Sequence, residues 1–334
     1  MVKIGLKLPV YEFEAELTSR MTLINGLSGK GKTTLVDYLF SPQYEGVREV
    51  ILSDASYDIV YGNPALKTIS SQESKKIFIF DEDINLNDRR LSVIFHNVTD
   101  CYFVMITRDP IKTLSYSIED IYTFMADGKR HWLEKYVDKH VSKWAPGKKG
   151  VSVFVIEDSG YGYDWFCRFL NDTAIAVKSA GGKGNVHKLC SNLLERKQDI
   201  ICFLAIDWCA YGCHINSLIE LSDDRLVLNR SYKSFEYMLL NTTLLKGLTD
   251  LKEIPDNVLE ERYYEELIFR ITENTIYEVR HKRNKLSRCF LDDCCPFHPR
   301  QVESKGGCDI SCRGDKFEML LKDTAFESLL NYRR

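Results

Sequence analysis

The chain has no apolar run long enough to cross a bilayer. Its first residues lack the pattern of a secretory signal, so cytoplasm is the expected compartment and no membrane partner is expected. Charge of neither sign dominates: 45 Lys+Arg stand against 48 Asp+Glu, a formal net of −3. That excludes a globally basic nucleic-acid binder and leaves only local patches for such contact. No Asn-Lys-x-Asp motif is present to select guanine, so ATP is favoured over GTP. What remains is 44% hydrophobic and 28% charged, the profile of a soluble globular protein. A length of 334 residues suggests two domains.

The strongest local signal is Gly26-Leu27-Ser28-Gly29-Lys30-Gly31-Lys32-Thr33, which fits the phosphate-binding pattern G-x-x-x-x-G-K-[ST]. Glycines let the backbone curl so that its N–H groups converge on phosphate oxygens. A following helix turns its positive end to the same anion. Lys32 is expected to reach the β- and γ-phosphates, and the Thr33 hydroxyl to ligate Mg²⁺. Thr34 and the loop residues Ser28, Gly29 and Lys30 complete the nucleotide-contacting set. The context suits the motif: Met21–Asn25 reads as a short buried strand before it, and residues 34–40 as a helix after it.

A second signal is Lys76-Ile77-Phe78-Ile79-Phe80-Asp81-Glu82-Asp83, a β-forming apolar run that ends in carboxylates. Asp81 is placed to hold Mg²⁺, directly or through water, and Glu82 to polarise the attacking water. Cys101–Thr107 is a third buried strand, whose end is expected at the same sheet edge, with Thr107 or Arg108 as the γ-phosphate sensor. Arg89, Arg90 and Arg108 are candidate arginine fingers, each also readable as a surface arginine. About 48 residues separate Thr33 from Asp81, too few for long coiled-coil arms. Before the loop, Val2–Leu6 and Tyr11–Leu17 read as a hairpin at the edge of a parallel sheet. In the latter, Tyr11, Phe13, Ala15 and Leu17 alternate with Glu12, Glu14 and Glu16.

Residues 146–150 are breaker-rich and basic and read as a linker. A β-α-β-α-β-α-β pattern follows, a second doubly wound α/β domain with chemistry expected at the carboxyl ends of strands. Its strands are expected at 151–156, 174–178, 200–206 and 225–228, with a helix over 186–196. Gly181-Gly182-Lys183-Gly184-Asn185 is either an anion-binding nest or a tight βα turn.

The succession Val-Phe-Val-Ile-Glu157-Asp158, Gly181–Asn185, Phe-Leu-Ala-Ile-Asp207 and the stretch Arg230–Leu239 resembles a TOPRIM domain. The nearest style is that of the overcoming-lysogenization-defect ATPase/nuclease effectors of phage defence, over 151–240. The resemblance implies a metal-dependent phosphodiesterase in bacterial phage defence, with Glu157 as the first-strand acid and Asp207 as the first aspartate of an Asp-x-Asp pair. Glu236 matches a further acid of those effectors. The second carboxylate of the pair is missing, because Cys209 occupies its place. Thiolate is a poor Mg²⁺ ligand, so Asp158 or Glu236 must compensate, or the domain binds nucleic acid without cutting it.

Residues 257–285 carry helical spacing and end in the basic run Arg280–Lys285, either a solvated helix end or a phosphate-backbone contact. Then come Cys289, Cys294, Cys295, His298, Cys308 and Cys312 in a short, loop-like stretch. In a reducing compartment such a cluster favours tetrahedral Zn²⁺ over disulfides. Four ligands are needed, with Cys294 and Cys295 alternatives and His298 competing. Cys209, Cys213 and His214 form a weaker cluster, read as core or near-site residues. Residues 316–332 read as a closing amphipathic helix.

The expected fold is therefore α/β. It comprises a P-loop NTPase domain with a compact parallel sheet over 1–145, a TOPRIM-like domain over 151–245, and a helical extension over 246–334 with a zinc element at 289–312. The expected cofactors are ATP, Mg²⁺ and structural Zn²⁺. The expected partners are a nucleotide, a DNA or RNA substrate, and either a second copy of the chain or a partner protein. The expected function is an ATPase whose nucleotide state controls a nuclease; the alternatives are a catalytically degenerate ATP-dependent sensor or scaffold, and more weakly a small-molecule kinase.

Overall fold

A computed structural model describes residues 1–25, 31–65, 69, 73–82, 86, 93–95, 98, 100–140, 151–159, 162–163, 166–167, 170, 174–196, 200–221, 224–228, 233–235 and 237. The described residues up to His140 belong to one compact unit and those from Val151 on to another. The expected linker and everything expected beyond residue 237, including the zinc element and both C-terminal helices, lie outside the described residues. No described helix is long and apolar enough to cross a membrane.

Among the described residues of the first unit, nine strands make one sheet. They are β1 (Val2–Leu8), β2 (Tyr11–Leu17), β3 (Met21–Asn25), β4 (Glu49–Leu52), β5 (Asp58–Tyr61), β6 (Lys76–Phe80), β7 (Cys101–Thr107), β8 (Ile121–Asp127) and β9 (Arg130–Lys135). The order across the sheet is β4-β1-β2-β9-β8-β3-β7-β6-β5. A parallel sheet joined to one hairpin is the expectation; β1 and β2 do pair antiparallel, and the correction is that β1 also pairs antiparallel with β4, and β8 with β9, so the sheet is mixed. The β1–β2 hairpin is also not at the edge, since β4 lies outside it. Its polar face explains the antiparallel pairing, because Glu12 and Glu16 stand opposite Lys7 and Lys3 while Tyr11, Phe13, Ala15 and Leu17 are buried.

The run β8-β3-β7-β6-β5 is parallel throughout. Its inner strands are buried on both faces, and all seven residues of β7 are buried. One face of β6 and β7 carries Ile77, Ile79, Val104 and Ile106 against Leu35, Val36 and Leu39 of helix α1 (Lys32–Phe40). The other face carries a phenylalanine layer. Phe103 lies 5.5 Å from Phe78 and 4.2 Å from Phe95, ring centre to ring centre. The guanidinium of Arg20 sits 5.3 Å over both Phe95 and Phe103 and donates to the Val98 carbonyl. Each buried phenylalanine contributes roughly 1.5–3 kcal/mol through its area.

The described residues of the second unit form a four-stranded parallel sheet of order β11-β10-β12-β13. Its strands are β10 (Val151–Ile156), β11 (Ala176–Ser179), β12 (Ile200–Ala205) and β13 (Leu226–Leu228). Between β11 and β12 runs the helix Val186–Arg196, which buries Val186, Cys190 and Leu194, every fourth residue, as one face of an α-helix must. Both units are thus α/β, one with a large mixed sheet and one with a parallel sheet.

Candidate functional site

In the first unit the chain enters the parallel region at β3, then builds β5, β6 and β7 inward to β3 from one side, and crosses to place β8 on the other. The strand order reverses at β3, and at such a switch point the loops leaving neighbouring strands diverge and leave a crevice at the carboxyl ends. The segment Gly31-Lys32-Thr33 follows β3. Gly31 caps helix α1 with φ +93°, a left-handed conformation that glycine adopts without strain. The Gly31 carbonyl accepts the first helical hydrogen bond, from the Leu35 amide at 2.9 Å.

Parallel register brings the other predicted residues to the same edge. Asn25 is level with Thr107, and Phe80 with Met105. Asp81 and Glu82 therefore leave β6 beside the end of β7. Asp81 is buried, and its N–H donates to Asn63 Oδ1 at 3.0 Å, while its Oδ1 accepts from the Glu82 amide at 2.7 Å. Glu82 holds a cation near each oxygen: Lys32 Nζ lies 3.8 Å from Oε1, and Arg108 Nε lies 2.6 Å from Oε2. The Lys32 side chain is only 5% exposed, whereas Arg108 is 60% exposed at the rim. Burial pushes the Lys32 ammonium below the ordinary lysine value; Glu82 and Asp81 oppose that shift and Arg108 adds to it. Lys32, Asp81, Glu82 and Arg108, distant in sequence, thus converge at one switch point.

Thr107 is buried, and its hydroxyl is engaged in the turn after β7, donating to the Asp109 carbonyl at 2.6 Å and accepting from the Asp109 amide at 3.2 Å. It shapes the turn that carries Arg108. Thr33 is exposed and Thr34 half-buried on the first turn of α1. Gly26, Ser28, Gly29 and Lys30, together with Arg89 and Arg90, lie outside the described residues. Asn63 was not among the predicted residues; nothing in the sequence signals that it caps the end of β6.

The second unit repeats the logic. Its chain passes from β10 to β11 on one side and then to β12 on the other, so the switch point is the carboxyl end of β10. Glu157 stands there, buried, its amide donating to the Ala205 carbonyl at 3.0 Å. Its Oε2 accepts from the Asp207 amide at 3.0 Å, and its carbonyl accepts from the Gly182 amide at 2.8 Å. Glu157 is thereby tied to both flanking loops, the glycine loop after β11 and the turn after β12. Tyr211, fully buried, donates to the Lys183 carbonyl at 3.2 Å. Burial raises the Tyr211 phenol well above its ordinary value, and the nearby Glu157 carboxylate adds to the shift. Asp158 turns to its own loop, its Oδ2 accepting from the Gly162 amide at 3.1 Å.

The structure thus brings Glu157 and the Asp207 backbone together. Cys209 is buried, with its amide donating to the Lys233 carbonyl at 3.1 Å. Among the described residues no group of three or more His, Cys, Asp or Glu side chains is gathered to hold a metal ion. Glu236, Cys289, Cys294, Cys295, His298, Cys308 and Cys312 lie outside the described residues.

No family model matches the chain, and neither do the curated proteins or the solved structures with which it was compared.

Proposed function

We propose that the first unit binds and hydrolyses ATP with Mg²⁺, and that its nucleotide state controls a metal-dependent phosphodiesterase site in the second unit, which acts on DNA or RNA. The observation that carries the first half is the convergence of Lys32, Asp81, Glu82 and Arg108 at the switch point after β3. Behind it stands the phosphate-loop sequence Gly26–Thr33. A buried ammonium beside two carboxylates suits a polyphosphate–Mg²⁺ ligand, which brings negative charge for the one and a cation for the others. Lys32 would take the β- and γ-phosphates, and Thr33 and Asp81 the Mg²⁺. The metal would neutralise charge that builds up on the transferred phosphoryl group.

Glu82 is the general base in this reading, drawing a proton from the attacking water. With a cation near each oxygen it is held in place. Phosphates that draw Lys32 away free Oε1 for water, while Arg108 still fixes Oε2.

The second half rests on Glu157, an acid at the second switch point, and on the resemblance to TOPRIM effectors, which points to phage defence as the context. Asp207 and Glu236 would complete the divalent-metal site. Incubation of linear DNA and of RNA with Mg²⁺ or Mn²⁺, with and without ATP, tests it. Cleavage by the wild type that is lost in Glu157→Gln supports the site; cleavage that survives the substitution removes Glu157 from it.

One observation favours a second reading. Cys209, where the resemblance expects a carboxylate, is buried and tied to Lys233. A protein that binds nucleic acid in an ATP-dependent way, and cleaves none under any divalent metal, would be the sensor or scaffold form.

A further inference from the structure

The β8–β9 hairpin sets one side chain against the segment that carries Lys32. His131 of β9 is half-buried, and a Cβ built on Gly31 would lie 3.7 Å from its Cδ2 and its Nε2. The imidazole is held on its other sides. One face stacks on Tyr11, centroids 4.1 Å apart and planes 21° from parallel, and Tyr11 meets Tyr38 of α1 edge-on at 4.9 Å. Phe124 lies 5.7 Å away. Nδ1 faces two carbonyl oxygens, of Lys129 at 3.1 Å and of Glu12 at 3.4 Å.

Those two acceptors decide the tautomer. A carbonyl accepts only, so Nδ1 must carry the hydrogen, and the neutral ring keeps a lone pair on Nε2. No described residue hydrogen-bonds to Nε2. In the neutral ring the edge that faces Gly31 is therefore a hydrogen-bond acceptor. Phosphate oxygens are acceptors too and make no bond with it. The nucleoside has what it lacks, since ribose hydroxyls and an exocyclic amine are donors.

We propose that His131 is a nucleoside-contacting residue of the Lys32 site, accepting a hydrogen bond at Nε2 from the sugar or base while Tyr11 and the Lys129 carbonyl hold the ring in position. The proposal rests on the nucleotide reading given above. Calorimetric titration of the full chain with Mg·ATP and with Mg·tripolyphosphate, which has the phosphates and no nucleoside, separates the two. His131→Ala removes the ring; His131→Phe keeps an aromatic ring on Tyr11 and removes Nε2. Loss of one hydrogen bond should weaken Mg·ATP about three- to tenfold in both variants and leave tripolyphosphate within about twofold of wild type. Wild-type affinity for Mg·ATP in His131→Phe overturns the proposal. A parallel loss of both ligands overturns it too, since His131 would then act on the phosphates or on the segment that binds them. A wild type that binds neither ligand removes the nucleotide reading and this proposal with it.

Discussion

Gly62 is where the fold of the first unit can be pressed hardest against its site. It opens helix α2 (Gly62–Ala65), directly after β5, and it is buried. A Cβ there would meet Phe80 at 2.6 Å from Cδ1 and Cε1 and 2.8 Å from Cζ. Carbon atoms rest at about 3.5–4.0 Å, so one partner must move by roughly 1 Å. Phe80 has nowhere to go: it is fully buried, 6.5 Å from the near-parallel Phe103 ring and 6.4 Å from Phe78. Overpacking of this kind costs about 1–3 kcal/mol. For a unit of this size that lowers Tm by roughly 2–12 °C. The damage is not confined to stability, because Phe80 is followed by Asp81, whose amide is held by Asn63 Oδ1. Gly62→Ala should therefore lower Tm in a thermal melt and weaken Mg·ATP in the same preparation. Gly46→Ala is the control, since a Cβ there meets nothing within 4 Å. Equal Tm and equal nucleotide affinity for Gly62→Ala, Gly46→Ala and wild type would refute the reasoning that α2 fixes the end of β6.

Two further predictions concern chemistry. Glu82→Gln should lower kcat for phosphate release by about 10²–10⁴-fold if Glu82 is the general base. Its Mg·ATP affinity should hold or rise, because the carboxylate no longer competes for Lys32. A hydrolysis rate within twofold of wild type would remove the role. Metal analysis of protein purified without chelator should find one zinc per chain, and Cys308→Ser with Cys312→Ser should lose it; a zinc-free wild type would end the assignment of the cluster between Cys289 and Cys312.

The elements legible in the sequence are those whose apolar runs are unbroken and end on polar residues. Lys76–Phe80, Cys101–Thr107 and the helix Val186–Arg196 have the bounds their patterns predict. The hairpin β8–β9 is hidden by its composition: Arg130, His131, Glu134 and Lys135 crowd a strand of six residues, so no alternation shows. β4 is short and mostly exposed, and gives no signal. Pairing was the harder matter. β2 lies beside β9, with Glu12 opposite Arg130, a contact that no local pattern specifies. The mixed sheet follows from such long-range pairs.

The site divides in the same way. Lys32, Asp81, Glu157 and Asp207 stand at ends of strands or just beyond them, where periodicity stops and a charged residue begins, and so they can be singled out from sequence. Arg108 and Glu82 can each be singled out in the same way, but no pattern in the sequence marks them as an ion pair. Asn63, Tyr211 and His131 act through backbone groups or ring contacts with residues far off in the chain. No motif marks a residue of that kind.

The central claim is that the buried ammonium after β3 holds a nucleotide's phosphates. Calorimetric titration of Mg·ATP into wild type and Lys32→Ala tests it most directly. Charge-assisted hydrogen bonds contribute about 1.5–3 kcal/mol each, so one such bond alone predicts at least a tenfold loss of affinity. The account predicts saturable one-to-one binding by wild type and that loss in Lys32→Ala, with the far-ultraviolet circular dichroism unchanged. Equal affinity in the two proteins, or no binding by the wild type, would contradict it.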